Sequence, residues 1–94
     1  MPTFLVEFFL SRARTGARGE IAERAEQACA ALTAEGAPVR LLHAVSVPTD
    51  ELYLCFFEAP SADAVLAAIG RAELPVEAGA EPVEFVPLQG GAIR

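Results

Sequence analysis

The stretch "LYLCFFEAP", residues 52–60, decides the fold. Its aromatic and aliphatic run, stopped by Ala59-Pro60, predicts a β-strand. Successive strand residues point to opposite sides, so Leu52, Leu54 and Phe56 share one side and Tyr53, Cys55 and Phe57 the other. Both sides are apolar, and such a strand has to be covered on both. It belongs in the middle of a sheet, and something must lie over each of its faces.

On the N-terminal side, "VRLLHAVSV" (39–47) reads as a second strand, and "PTDE" (48–51) as a turn. A four-residue loop pairs Val47 with Leu52 and makes a hairpin. That register sets His43 on the side of Leu54 and Phe56, and Ser46 on the side of Tyr53 and Cys55. On the C-terminal side, Ser61 is a suitable N-cap for a helix whose apolar stripe is Ala62, Val65, Leu66 and Ile69, with Gly70 weakening its last turn. A connection over 73–82 leads to a short last strand, "VEFVPL" (83–88), in which Pro87 marks an edge or an end. "QGGAIR" (89–94) reads as a flexible tail.

At the start of the chain, "TFLVEFF" (3–9) is a first strand and "SRARTGARG" (11–19) a polar loop. "EIAERAEQACAALTAEG" (20–36) is a helix with a narrow stripe of Ile21, Ala25, Ala28, Cys29 and Leu32, ended by Gly36 and Pro38. The order strand, helix, strand, strand, helix, strand predicts an α+β fold over residues 1–88. This is the ferredoxin-like βαββαβ sandwich, with two helices on one face of a four-stranded antiparallel sheet. The first and third strands are central. In the first, Phe4, Val6 and Phe8 oppose Leu5, Glu7 and Phe9, so neither side is polar. The helices cover one face, and a second subunit is expected on the other. Two such sheets face to face make a dimeric α+β barrel with a cavity between them.

Composition narrows the function. The chain has 94 residues, enough for one small domain, and its 53% hydrophobic content excludes a disordered chain. The net charge is −6 and all seven basic residues are scattered arginines, which argues against nucleic-acid binding. With no Lys, Schiff-base catalysis through a side-chain amine is excluded. The lack of Lys, Asn and Trp beside abundant Ala, Gly, Pro and Arg suggests a GC-rich bacterial genome. Cys29 and Cys55 form no CxxC pair and read as small buried residues in a reducing compartment. The N-terminal apolar run contains Glu7, follows no basic leader and lacks an A-x-A site. It is not expected to be a signal peptide. No segment is long enough to span a membrane, and a cytoplasmic location is expected.

The segments "MPTFLVEFFL", "LLHAVSVPTDELYLCFFEAPSADAV" and "RAELPVEAGAEPVEF" resemble a family of small bacterial nickel-binding-protein-like domains, of largely unknown function, within the dimeric α+β-barrel proteins. The most specific part is "YLCFFEAPSADAV", residues 53–65. The resemblance implies a ferredoxin-like fold, a homodimer and, for the metal-binding members, nickel. The metal positions are not kept. The family's Asp and His in the first strand correspond to Val6 and Phe8, and its late-helix histidines to Ile69 and Glu73. With one His in the whole chain, no metal site and no cofactor are expected.

Few residues remain to carry chemistry. His43 is either a satisfied histidine on an edge strand or an acid/base and ligand contact in the barrel. Glu7, in a central strand, needs an ion-pair partner or a wet cavity and is the second acid/base candidate. Tyr53, the only tyrosine, is either an amphipathic residue at a strand start or a ligand contact. Phe8 and Phe56 complete the expected ligand-binding set, as apolar walls. Glu58 reads as a solvated or capping acid. His43 and Tyr53 lie on opposite sides of the hairpin, and His43 is the better candidate for the cavity. No nucleophile–base spacing, phosphate loop or dinucleotide fingerprint is present. The expected function is a small dimeric barrel that binds a mostly apolar small molecule in an accessory role. The alternatives are a cofactor-free isomerase, cyclase or monooxygenase on the same scaffold, by fold analogy, and a nickel-binding protein, by resemblance.

Overall fold

Two adjacent strands hold the core in the computed structural model. They are β1 (Thr3–Phe9) and β3 (Leu52–Glu58), antiparallel, with Phe4 opposite Phe57, Val6 opposite Cys55 and Phe8 opposite Tyr53. All six of these side chains are buried, and Val6, Phe8, Cys55 and Phe57 are at most 1% exposed. The structure describes residues 1–9, 18–47, 49, 52–74 and 81–86. Strand β2 (Arg40–Val47) flanks β3, and the three-residue β4 (Val83–Phe85) flanks β1. The order β2-β3-β1-β4, with every pairing antiparallel, is the expected ferredoxin-like arrangement. The tail at 89–94, the loop at 11–17 and the Pro87 end of the last strand lie outside the described residues.

Helices α1 (Arg18–Ala34) and α2 (Ala62–Ala72) cover the face that carries Phe4, Val6, Phe8, Tyr53, Cys55 and Phe57. The α1 stripe is as expected: Ile21, Ala25, Ala28 and Cys29 are buried and Leu32 packs against them. In α2 the stripe is rotated from expectation. Val65, Ala68, Ile69 and Ala72 are buried, whereas Leu66 is 43% exposed. The buried set follows i, i+3, i+4, i+7 spacing, and Leu66 lies about 100° around the axis from Val65. Small size at Ala68 and Ala72 lets α2 sit close to its neighbours. The larger Leu66 is left outside. Each fully buried Val, Ile or Phe contributes about 1.5–3 kcal/mol of burial free energy.

The helix ends are built by backbone chemistry. Ser61, in extended conformation, accepts a hydrogen bond from the Ala64 N–H at 3.3 Å and caps α2. Gly36, at φ 95°, closes α1. The Gly36 N–H reaches the Thr33 carbonyl, and the Ala37 N–H reaches that of Leu32. These two bonds make a Schellman motif. The same motif closes α2, with the Glu73 N–H on Gly70 and the Leu74 N–H on Ile69, but here Glu73 holds the left-handed position at φ 54°. Thr33 then ties α1 to β2. Its hydroxyl donates to the Val39 carbonyl at 3.0 Å and accepts from the Val39 N–H at 3.2 Å.

Strand β2 does not keep one phase. From Val47 to His43 it pairs as expected, with Val47 opposite Leu52 and His43 opposite Phe56. Between His43 and Leu41 there is a bulge, and Leu41 is opposite Phe57. Leu42 is the extra residue. Simple alternation sets Val39 and Leu41 on the side of His43. Instead Val39 is buried and Leu41 packs against the core under the helices.

Candidate functional site: the open face of the sheet

The face away from the helices is apolar across three strands. The register places Leu5, Glu7 and Phe9 of β1 on it, Leu52, Leu54 and Phe56 of β3, and His43, Val45 and Val47 of β2. At the β4 edge, Val83 lies opposite Leu5 and Phe85 opposite Thr3. Phe9 and Val83 are each 62% exposed, and Val45 and Phe85 nearly half exposed. The β3 side chains Leu52, Leu54 and Phe56 are half-buried by their neighbours. Contiguous apolar patches of this kind are rare on the surfaces of soluble monomers.

Aromatic packing crosses the strands. The Phe56 ring meets His43 edge-on, with ring centres 6.4 Å apart, and meets Phe85 edge-on at 5.4 Å. These contacts place the Phe56 ring between His43 and Phe85, edge-on to both. At one corner Arg40 and Glu58 neutralise each other through a 3.2 Å ion pair. Glu7, exposed, and His43, also exposed, are the other two ionisable groups of the face among the described residues. They lie on the two strands that flank β3, one residue pair apart along the strand direction.

The five residues expected to bind a ligand are thus divided. Glu7, His43 and Phe56 share the open face. Phe8 and Tyr53 are paired on the opposite face, 0% and 4% exposed, beneath the helices. Even spacing along each strand makes this division unavoidable once Val6 and Cys55 are core. Leu5, Val45, Val83 and Phe85 join the face without having been singled out from the sequence. The alternation of Val83 and Phe85 around Glu84 was a signal for the last two, but it acquires meaning only with the sheet order.

Elsewhere, an open groove of ≈ 680 Å³ runs between α1 and β2 on the helix side, lined by Cys29, Ala30, Thr33, Pro38, Val39 and Leu41 among others. It meets the open face only at the Arg40–Glu58 corner and shares none of its apolar residues. Burial raises the Cys29 thiol above its ordinary pKa, and pushes Cys55 up to about 12, with a smaller contribution from Cys29. Both stay protonated and unreactive near neutral pH. Among the described residues no three His, Cys, Asp or Glu side chains come together as a metal site. No helix among them is long and apolar enough to cross a membrane.

Comparison of the chain with protein-family models, with curated proteins and with solved structures returns no match.

Proposed function

We propose that the chain works as a homodimer whose two sheets face each other and hold a mostly apolar small molecule between them. The carrying observation is the open face itself: Leu5, Phe9, Val45, Leu54 and Phe56 in one patch, with Glu7 and His43 its only unpaired ionisable groups among the described residues. Apolar walls with a few polar groups are the usual make-up of a small-molecule site. The edge-on rings of Phe56 and Phe85 suit a planar ligand. A carbonyl or phenol on that ligand finds a hydrogen-bond partner in the imidazole or the carboxylate. The role is that of a binding or accessory protein.

Light scattering tests the dimer, with an expected mass of twice 9.9 kDa at micromolar concentration. Titration with Nile red, a planar neutral dye, tests the pocket. Saturable uptake is expected in the wild type, and its loss in a Phe56→Ala variant that keeps its dimeric mass. A monomeric mass overturns the reading. So does a dimer that takes up no dye, because its sheets are then packed without a cavity.

A further inference from the structure

We infer that the second copy is seated with the two-fold axis running along β3, so that each Glu7 faces His43 of the partner and each pocket is built from both chains. This rests on the sheet-to-sheet dimer proposed above. It names which strands meet and which residues make the polar end of each site.

The argument is one of charge and symmetry. The middle strand β3 offers only Leu52, Leu54 and Phe56 to the open face along its central part. The two unpaired ionisable residues flank it, Glu7 on β1 and His43 on β2. In a two-fold interface a contact between i and j occurs twice, once in each direction. An axis along β3 lays apolar β3 on apolar β3, and β1 across from the partner's β2. Glu7 then meets an imidazole on both sides. An axis lying across the strands lays each strand over its own copy, so that β1 faces β1 and the two carboxylates approach each other in an apolar interface. A like-charge pair there is costly, whereas a carboxylate and an imidazole satisfy each other by a hydrogen bond or an ion pair. The remaining charged pair, Arg40 with Glu58, is already neutral within one chain and makes no demand on the partner.

Distances agree with this seating. Facing sheets stand about 10 Å apart, and Glu7 and the partner's His43 are offset by one residue pair, roughly 7 Å along the strand. Glutamate and histidine side chains extend far enough to span that gap from both sides. Within one chain the two lie two strands and one residue pair apart, roughly 12 Å between Cα atoms. Within a chain both side chains rise side by side from the same face and do not converge, whereas across two facing sheets they point toward each other, so the pair is available to the partner. A ligand with a proton to share, such as a phenol or an enol, sits between a carboxylate and an imidazole from different chains.

Cross-linking decides the seating. Glu7→Cys and His43→Cys chains, carrying different tags, are treated with a short bis-maleimide; the native Cys29 and Cys55 are buried and serve as the unreactive background. A covalent dimer is expected in the mixture and not with either variant alone. Cross-linking of Glu7→Cys to itself, with none in the mixture, overturns the seating while leaving the dimer intact. A monomeric mass by light scattering overturns the dimer itself. A second measurement avoids cysteine. His43→Glu is expected to weaken the dimer at least tenfold, and the exchange Glu7→His with His43→Glu to restore it. A dimer that His43→Glu leaves unaffected, or that the exchange fails to restore, overturns the pairing.

Discussion

Glu73 holds a backbone conformation that its side chain does nothing to favour. At φ 54° it closes α2 where glycine closes α1, and the left-handed region costs a residue with a Cβ about 1 kcal/mol or more. Its carbonyl is fixed from outside, because the Arg24 guanidinium donates to it and to the Ala72 carbonyl. Glu73→Gly keeps those bonds and relieves the conformation. The expected outcome is a melting temperature higher by roughly 4–8 °C, read by circular dichroism. An unchanged or lower value would show that the neighbouring contacts already hold the residue at no cost.

Between the helices, one arginine does the work of a cap. Arg24 of α1 reaches the last carbonyls of α2, at 3.0 and 2.6 Å to Ala72. Those carbonyls have no partner within their own helix. Arg24→Ala leaves them to water and is expected to cost about 1–2 kcal/mol in urea unfolding; Arg24→Lys recovers only part, since an ammonium cannot match the planar fork. A second bridge is bidentate, from Arg71 to Glu35, at 3.1 and 2.7 Å. The guanidinium, through its hydrogen bonds and then its charge, holds the Glu35 carboxyl below its ordinary pKa. A lowered acid contributes stability above its unfolded pKa and loses it as pH falls through the folded one. The gap in melting temperature between wild type and Arg71→Met should therefore close on going from pH 7 to pH 3. A gap that stays constant over that range would place the contribution in packing. Much at this scale was legible in the sequence. Ser61, Gly36 and the α1 stripe are local signals, and hairpin counting alone aligned Val47 with Leu52 and His43 with Phe56. The phase of α2 was not legible, because Leu66 and Ala68 differ in hydrophobicity in the wrong direction. Their exposure is decided by how closely α2 approaches its neighbours. The flip at Leu42 was not legible either, since nothing in "VRLLHAVSV" marks which of two leucines is surplus.

The whole molecule has one sheet with two apolar faces; the helices cover one, and the proposed second subunit would cover the other. Phe57, fully buried beneath the helices, belongs to the fold of one chain. Phe57→Ala is expected to cost about 3–5 kcal/mol, a large part of the stability of a domain this size. Leu54, half-buried on the open face, belongs to the proposed dimer interface. Leu54→Ser should leave the helical circular dichroism intact while halving the mass seen by light scattering. If both variants unfold alike, the open face is supporting the single chain. Splitting of the candidate site follows from the same two-sidedness. Phe8 and Tyr53 look as suited to a ligand as Phe56 does, and only the choice of which face the helices take separates them.

The surplus leucine in β2 carries one more implication. Arg40 and Leu41 are in step with Glu58 and Phe57, and His43 onward is in step with Phe56, so the residue between them is outside the ladder. Excision of Leu42 should splice two aligned segments, leaving a regular strand and a cooperative thermal melt. Excision of Ala44 lets Leu42 take the empty place in the ladder, so Arg40, Leu41 and Val45 to Val47 keep their partners while His43 turns to the helix-covered side opposite Cys55. A lower melting temperature than for the Leu42 excision is expected. Strand length at this one point is then free to vary by a codon, and natural variants that gain or lose a residue in this strand are expected to do so here.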